Sequence, residues 1–219
     1  MKNKNIKAVI FDLDGTLIDT EKYYMKAWPE AMEHFGYSFS YEDALSMRSL
    51  GRPYAPLHLK ELSGDPNFDY AAVRAFRKER MEYFINTFGM ELKPFAKEIL
   101  VVLREKGILV AMGTANDYER TERYLKKLGL FDCFDKICCA SMVEHGKPAP
   151  DLYAYAVQEL GLSPEECFAV EDSPNGVRSA ASAGLCTVMV PDLTQPDAEL
   201  KKLLYAKYDS LEEFYRAEF

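Results

Sequence analysis

The sequence predicts an α/β protein, a doubly wound parallel sheet with a helical domain inserted after its first strand. Three observations carry this. Short apolar runs rich in β-branched residues alternate with helix-length stretches of polar and apolar residues. Glycines stand where those helices should close, at Gly107, Gly129, Gly161 and Gly184. Between residues 20 and 86 the strand pattern disappears. Strand–helix alternation of this kind builds a parallel sheet covered by helices on both faces.

The first run, residues 6–11, reads as a buried strand that stops at the polar DLDGT of 12–16. Helix formers and aromatics follow, with breakers at Gly36, Gly51, Pro53, Pro56, Gly64 and Pro66. They predict about four helices, near 20–35, 41–49, 54–62 and 69–86. In the last, Val73, Phe76, Arg77, Arg80, Met81 and Phe84 form an apolar stripe at helical spacing with basic residues beside it. After Pro94, residues Phe95, Ile99, Val102 and Leu103 share one helical face. Strands at 108–112, 136–140, 167–170 and 186–190 then alternate with helices at 117–128 and 151–160 and one opened by Ser173 and Pro174. Ser210 and Glu213 have the spacing of a capping box for a terminal helix. Residues 1–16 and 92–219 therefore form one α/β core, and 17–91 a helical insertion.

Composition excludes several function classes. The 219 residues carry 27 basic and 35 acidic side chains, a net charge of −8. An acidic balance argues against nucleic-acid and anionic-membrane partners, which reward basic surfaces. No run approaches the roughly 20 apolar residues of a membrane span, and the N-terminal residues lack the apolar stretch of a secretion signal. A cytoplasmic protein is the expectation. The five cysteines are odd in number and show no CxxC spacing, so they read as free, packed thiols in a reducing compartment. The three histidines, His34, His58 and His145, are too scattered to suggest a metal site.

In an open parallel sheet, ligands bind at the carboxyl ends of the strands. Four polar signatures fall there: Asp12 and Asp14, then Thr114 to Asn116, then Lys147 between Gly146 and Pro148, then Glu171 and Asp172. Two acids one residue apart crowd like charges, and a second acidic pair reaches the same edge. A hard cation such as Mg2+ would relieve that crowding. Taken alone, the acid pairs read equally as loop acids, Thr114 reads first as part of a helix cap and Lys147 first as a solvated lysine. Together they describe a site in which a cation, Lys147 and Thr114 neutralise a phosphoryl group while one carboxylate attacks and another handles the proton.

These residues resemble the haloacid dehalogenase (HAD) superfamily of phosphohydrolases. The resemblance covers nearly the whole chain: DLDGT at 12–16, Thr114, Lys147 within GKPAPD at 146–151, and EDSPNG at 171–176 occur in the family's order. The insertion after the first strand resembles the cap of the subgroup containing β-phosphoglucomutase and phosphoglycolate-type phosphatases. The resemblance implies a HAD-like Rossmannoid core and a set of roles. Asp12 would be the nucleophile and form an aspartyl-phosphate. Asp14 would be the general acid and base. Thr114, Ala115, Asn116 and Lys147 would hold the phosphate. Mg2+ would be bound by Asp12, Asp172, Glu171 and Asp14, the last through its backbone carbonyl. The second aspartate marks phosphate chemistry, because dehalogenases of the superfamily lack that acid.

β-Phosphoglucomutases carry a histidine in the first cap helix, four residues after an Asp-Thr pair. Here Asp19 and Thr20 are followed by Tyr24, which titrates near 10 rather than near 6.5. That favours hydrolysis of a small phosphorylated metabolite, a sugar phosphate among the candidates, by a monomer. A phosphosugar mutase and a non-catalytic binding module on the same fold are the alternatives. Tyr24, Arg52 and Lys78, with Arg48, are the cap candidates for contacting substrate. The aromatics Tyr23, Tyr24, Trp28 and Phe35 read as cap core, and Phe95 stands where relatives often have glycine.

Overall fold

The computed structural model describes residues 5–219. Residues 1–4, which belong to the expected core segment and to the N-terminal stretch read for a secretion signal, lie outside them. β1 (Ala8–Phe11) leads into four helices, α1 (Glu21–His34), α2 (Tyr41–Ser46), α3 (Tyr54–Ser63) and α4 (Tyr70–Phe88). Alternation then begins with α5 (Ala96–Glu105), β2 (Leu109–Thr114), α6 (Tyr118–Leu128) and β3 (Lys136–Cys139). It continues through α7 (Asp151–Leu160), β4 (Cys167–Glu171), α8 (Pro174–Ser182) and β5 (Cys186–Met189), and ends with α9 (Ala198–Leu203), β6 (Ala206–Lys207) and α10 (Leu211–Glu218). The strands form one parallel sheet in the order β3-β2-β1-β4-β5-β6.

Register explains where the site lies. Phe11 pairs with Met112 on one side and Val170 on the other. The residues that follow, Asp12, Gly113 and Glu171, therefore lie level with one another at its carboxyl edge. Strand alternation divides the core. Val9 and Phe11 pack with Ile99, Leu103, Val110 and Phe214. Ala8 and Ile10 face Leu152, Tyr153, Ala156 and Ala180 instead. The inserted helices have a core of their own, built from Trp28, Met32, Met47, Leu59 and Val73. Met81, Phe84 and Ile85 of α4 join the cluster that packs on the sheet.

Several local expectations are corrected. The helix expected over 41–49 stops at Ser46, and Ser49 adopts a positive φ of 55°. Phe95 does not extend the face of the next helix. It precedes α5 at φ 66°, the left-handed conformation that glycine takes most easily, and its ring lies 5.9 Å from that of Tyr215. Ser210 accepts from the Glu213 N–H at 3.1 Å, but Glu213 reaches back to the Asp209 N–H at 2.7 Å rather than to Ser210. The two-residue β6 and the six-residue α9 are too short to announce themselves by period. All five cysteines are free thiols, four of them buried. Among the described residues, no helix is long and apolar enough to cross a membrane.

Candidate active site

Asp12 leaves β1 into a buried position, 1% exposed. Lys147, with no exposed surface, donates to Asp12 Oδ1 at 2.6 Å and to Glu171 Oε1 at 2.5 Å. Tyr153 of α7 donates to the same Glu171 oxygen at 2.6 Å. Burial alone would push the Lys147 ammonium down, but Asp12 and Glu171 outweigh it and hold its pKa above the ordinary lysine value. Burial raises Asp12 well above the carboxylate range, against the opposing pull of Lys147.

Asp12, Glu171 and Asp172 bring carboxylate oxygens within 4.8 Å of one another. Asp12 Oδ2 and Asp172 Oδ1 are buried without a hydrogen-bond partner. A Cβ at Gly15, where φ is 86°, would come within 2.2 Å of Asp172 Oδ2, and one at Gly176 within 1.9 Å of Glu171 Oε2. Orphaned, crowded carboxylate oxygens with glycine on either side fit a divalent cation such as Mg2+. The Asp14 carboxylate is not in this group. Thr20 donates to its Oδ1 at 2.5 Å and Asn116 Nδ2 to its Oδ2 at 2.6 Å. Burial raises the Asp14 pKa despite both bonds.

Arg48 corrects an expectation. It does not point to a remote end of the site. Its Nη2 donates to Asp172 Oδ2, its Nε to Glu21 Oε2 at 3.2 Å and its Nη1 to Thr194 at 3.0 Å. Burial pushes Glu21 up to about 7, with Arg48 opposing. Thr114 is fully buried at the end of β2, where its Oγ accepts the Asn116 N–H at 3.2 Å. That amide, expected to hold phosphate, is therefore engaged locally.

Core and inserted helices enclose a cavity lined by Asp12, Asp14, Ala115, Asn116 and Arg120 on one side and by Tyr24, Trp28, Arg48, Arg52, Arg74 and Arg77 on the other. The two halves also meet backbone to backbone. The Gly51 N–H donates to the Lys147 carbonyl at 2.8 Å and the Gly146 N–H to the Arg52 carbonyl at 2.6 Å. A Cβ at Gly51 would lie 2.7 Å from Gly146 Cα, so only glycine permits this approach. Tyr24 donates to Asn116 Oδ1 at 3.2 Å and accepts from Arg120 at 3.3 Å. Burial, then Asp14, push its hydroxyl up to about 12.

Of the cap candidates, Tyr24 and Arg52 line the cavity and Lys78 does not. Lys78 pairs with Asp117 at 3.1 Å, and its neighbour Arg77 takes the inward position. Tyr24 and Trp28 are likewise cavity walls rather than cap core alone, whereas Tyr23 stacks on Phe84 at 5.8 Å and Phe35 is 39% exposed. Sequence reasoning passed over Glu21, Arg74, Arg120 and Tyr153. Glu21 reads as an ordinary first-turn acid and Tyr153 as part of an apolar helix face.

The haloacid dehalogenase-like hydrolase family model matches residues 6–184. The chain belongs to this family. It is 30% identical over 188 residues to the fructose-1-phosphate phosphatase YqaB of Escherichia coli, covering 84% of this chain and 95% of that protein. To the phosphorylated carbohydrates phosphatase of Thermotoga maritima it is 31% identical over 185 residues, 82% of each chain. The fold is similar to that of CbbY from Rhodobacter sphaeroides in complex with phosphate, with a TM-score of 0.79 and 27% identity over 95% of this chain and 96% of that one. With its HAD-like fold and phosphatase relatives, the chain is a phosphohydrolase.

Proposed function

We propose that this HAD-type enzyme is a Mg2+-dependent phosphatase of small phosphorylated metabolites, sugar phosphates among them, acting through an aspartyl-phosphate on Asp12. The observation that carries the reading is the state of Asp12. One of its oxygens is held by Lys147 and the other is buried without a partner. A carboxylate held at one oxygen has little orientational freedom left to lose on attack, which supports Asp12 as the nucleophile. The two relatives cited, which carry phosphatase names, support the substrate class.

Bound at Asp12, Asp172 and Glu171, with the Asp14 carbonyl, Mg2+ would offset charge on the phosphoryl oxygens. The chain's own groups do the rest. Lys147, the Thr114 hydroxyl and the Ala115 amide hold the phosphoryl oxygens. Asp14 donates a proton to the leaving oxygen and then takes one from the attacking water; burial raises its pKa, the direction that favours the protonated form the first of these steps needs. Residues 17–91 act as a cap over the core formed by 1–16 and 92–219, closing to exclude bulk water and opening to release product. Tyr24 favours hydrolysis over the mutase alternative. With its hydroxyl tied to Asn116 and Arg120 and pushed up to about 12, it does not exchange protons near neutral pH. Five free thiols suit a reducing cytoplasm, where we take the chain to act as a monomer.

Phosphate release from a panel of phosphoesters, with and without Mg2+, tests the reading. Glucose 6-phosphate formation from β-glucose 1-phosphate is followed in parallel. Asp12→Asn is expected to cut turnover by at least ~10³-fold with an unchanged circular dichroism spectrum. Normal turnover in that variant removes the nucleophile, and isomerisation without net phosphate release selects the mutase.

A further inference from the structure

One segment of the insertion reaches the acidic cluster itself. α2 stops at Ser46, and residues 46–52 then meet the core. Asn175 of α8 donates its Nδ2 to the Arg48 carbonyl at 2.9 Å and to that of Ser46 at 3.3 Å. The backbone of Gly51 and Arg52 bonds to that of Lys147 and Gly146. Between these ties Ser49 takes a φ of 55°, a left-handed conformation that costs energy for any residue but glycine and persists only where its surroundings impose it. Arg48 is the residue that this turn follows.

Arg48 is buried, and every nitrogen of its guanidinium is engaged. Nε donates to Glu21 Oε2 at 3.2 Å, Nη1 to Thr194 in the loop after β5 at 3.0 Å, and Nη2 to Asp172 Oδ2. Glu21 opens α1 and belongs to the insertion, whereas Thr194 and Asp172 belong to the core. The guanidinium therefore joins the two halves through charge. Asp172 does not need it to stay in place. The residue has no exposed surface, and a Cβ on Gly15 would strike the same Oδ2, so packing already fixes the carboxylate. What Arg48 brings is a positive charge, at a depth where salt and water screen it little. The other oxygen of Asp172, Oδ1, has no partner, and Asp172 is one of the three acids grouped to fit a divalent cation.

We propose that Arg48 and the divalent cation oppose each other at Asp172, so that binding of the cation loosens residues 46–52 from the core and tight seating of that segment weakens the cation. The proposal rests on the Mg2+ reading above and adds to it a link between the metal and the inserted helices. A cation at one oxygen of a carboxylate lowers the attraction of that carboxylate for a second cation at the other. The coupling is reciprocal, and such couplings are typically about 5- to 150-fold in affinity.

The test is the affinity of the full chain for Mg2+, measured by titration calorimetry. Arg48→Met, with a neutral side chain of similar length, is expected to bind Mg2+ about tenfold more tightly or better. Arg48→Lys, which keeps the charge, should stay within about threefold of the unaltered chain. Asn175→Ala leaves Arg48 in the sequence and removes only a tie on a partly exposed side chain. By the same linkage it should tighten Mg2+ binding about threefold or more, and it decides the matter should Arg48→Met lose its fold by circular dichroism. Unchanged affinity in the folded variants overturns the proposal. Weaker binding in Arg48→Met also overturns it, and makes Arg48 a residue that orients Asp172 for the metal.

A second readout follows the inserted helices. Trp28 is the chain's single tryptophan and lines the cavity between the two halves. Its quenching by acrylamide should rise when Mg2+ is added to the unaltered chain. In Arg48→Met it should be high from the start and unmoved by Mg2+. Tighter Mg2+ binding with quenching flat in every protein confines the effect to the carboxylate and overturns the link to the inserted helices. Absence of Mg2+ binding from the unaltered chain and from all three variants removes the Mg2+ reading itself, whereas equal binding by all four keeps that reading and overturns the proposal alone.

Discussion

Lys147 and Arg77 are both buried cations of the same site, one from a core loop and one from a cap helix, yet their surroundings are opposite. Lys147 sits between Asp12 and Glu171. Arg77 sits between two aromatic rings with donors to spare. A cation paired inside the protein fixes the groups around it whether or not ligand is present. A cation left unpaired costs stability until something else pairs it. The difference separates a cation whose partners are built into the fold from one held against aromatic faces.

Removing the paired cation should have the largest effect on stability. Lys147→Met leaves Asp12 and Glu171 facing each other without compensation. The expected loss is about 3–5 kcal/mol, measured by chemical denaturation, together with loss of Mg2+-dependent phosphate release. Arg77→Met should move stability the other way, by about 1–4 kcal/mol, because an unsatisfied buried charge is replaced by an apolar side chain of similar length. Equal and same-sign changes in the two variants would erase the distinction.

The core half of the site was legible in the sequence and the cap half largely was not. Asp12, Thr114 and Glu171 each end or follow an apolar run, and the parallel arrangement inferred from those runs brings their ends to one edge. The cap depended on helix rotation. Arg77 and Lys78 are adjacent, so on a helix they point about 100° apart. Val73, Arg77, Met81 and Phe84 are all buried in α4, so the arginine lies within the apolar stripe rather than beside it. That placement at spacing four from Val73 and Met81 was the available signal. Nothing local could have joined Arg48 to Asp172, which are 124 residues apart.

Glu21 tests an intermediate case, an acid whose cationic partner Arg48 does not fully offset burial. Its folded pKa of about 7 stands above its ordinary value of 4.5. Between those values the folded chain holds more protons at this group than the unfolded chain does. Its contribution to stability is therefore present below pH 4.5 and is lost as pH rises toward 7, with a slope of up to ~1.4 kcal/mol per pH unit. Glu21→Gln should flatten that part of the melting temperature's decline between pH 4.5 and 7, read without Mg2+. An unchanged slope would mean that Arg48 already compensates Glu21 in full.

The smallest effect should come from Lys78, which the sequence offers beside Arg52 and Arg48 as a cap candidate for contacting substrate. Its pair with Asp117 is open to water, with the two side chains 34% and 35% exposed. Exposed pairs of this kind contribute about 0–1 kcal/mol, because water solvates both charges nearly as well as they solvate each other. Asp117 has a second task that survives the change, since its other oxygen accepts the Arg120 N–H at 3.0 Å and caps α6. Lys78→Ala should therefore shift stability by less than about 1 kcal/mol and leave kcat/KM for phosphate release within about threefold of the unaltered enzyme. A tenfold loss of kcat/KM would mean that Lys78 leaves Asp117 when substrate binds, so that its exposed pair in the free chain understates its part in the site.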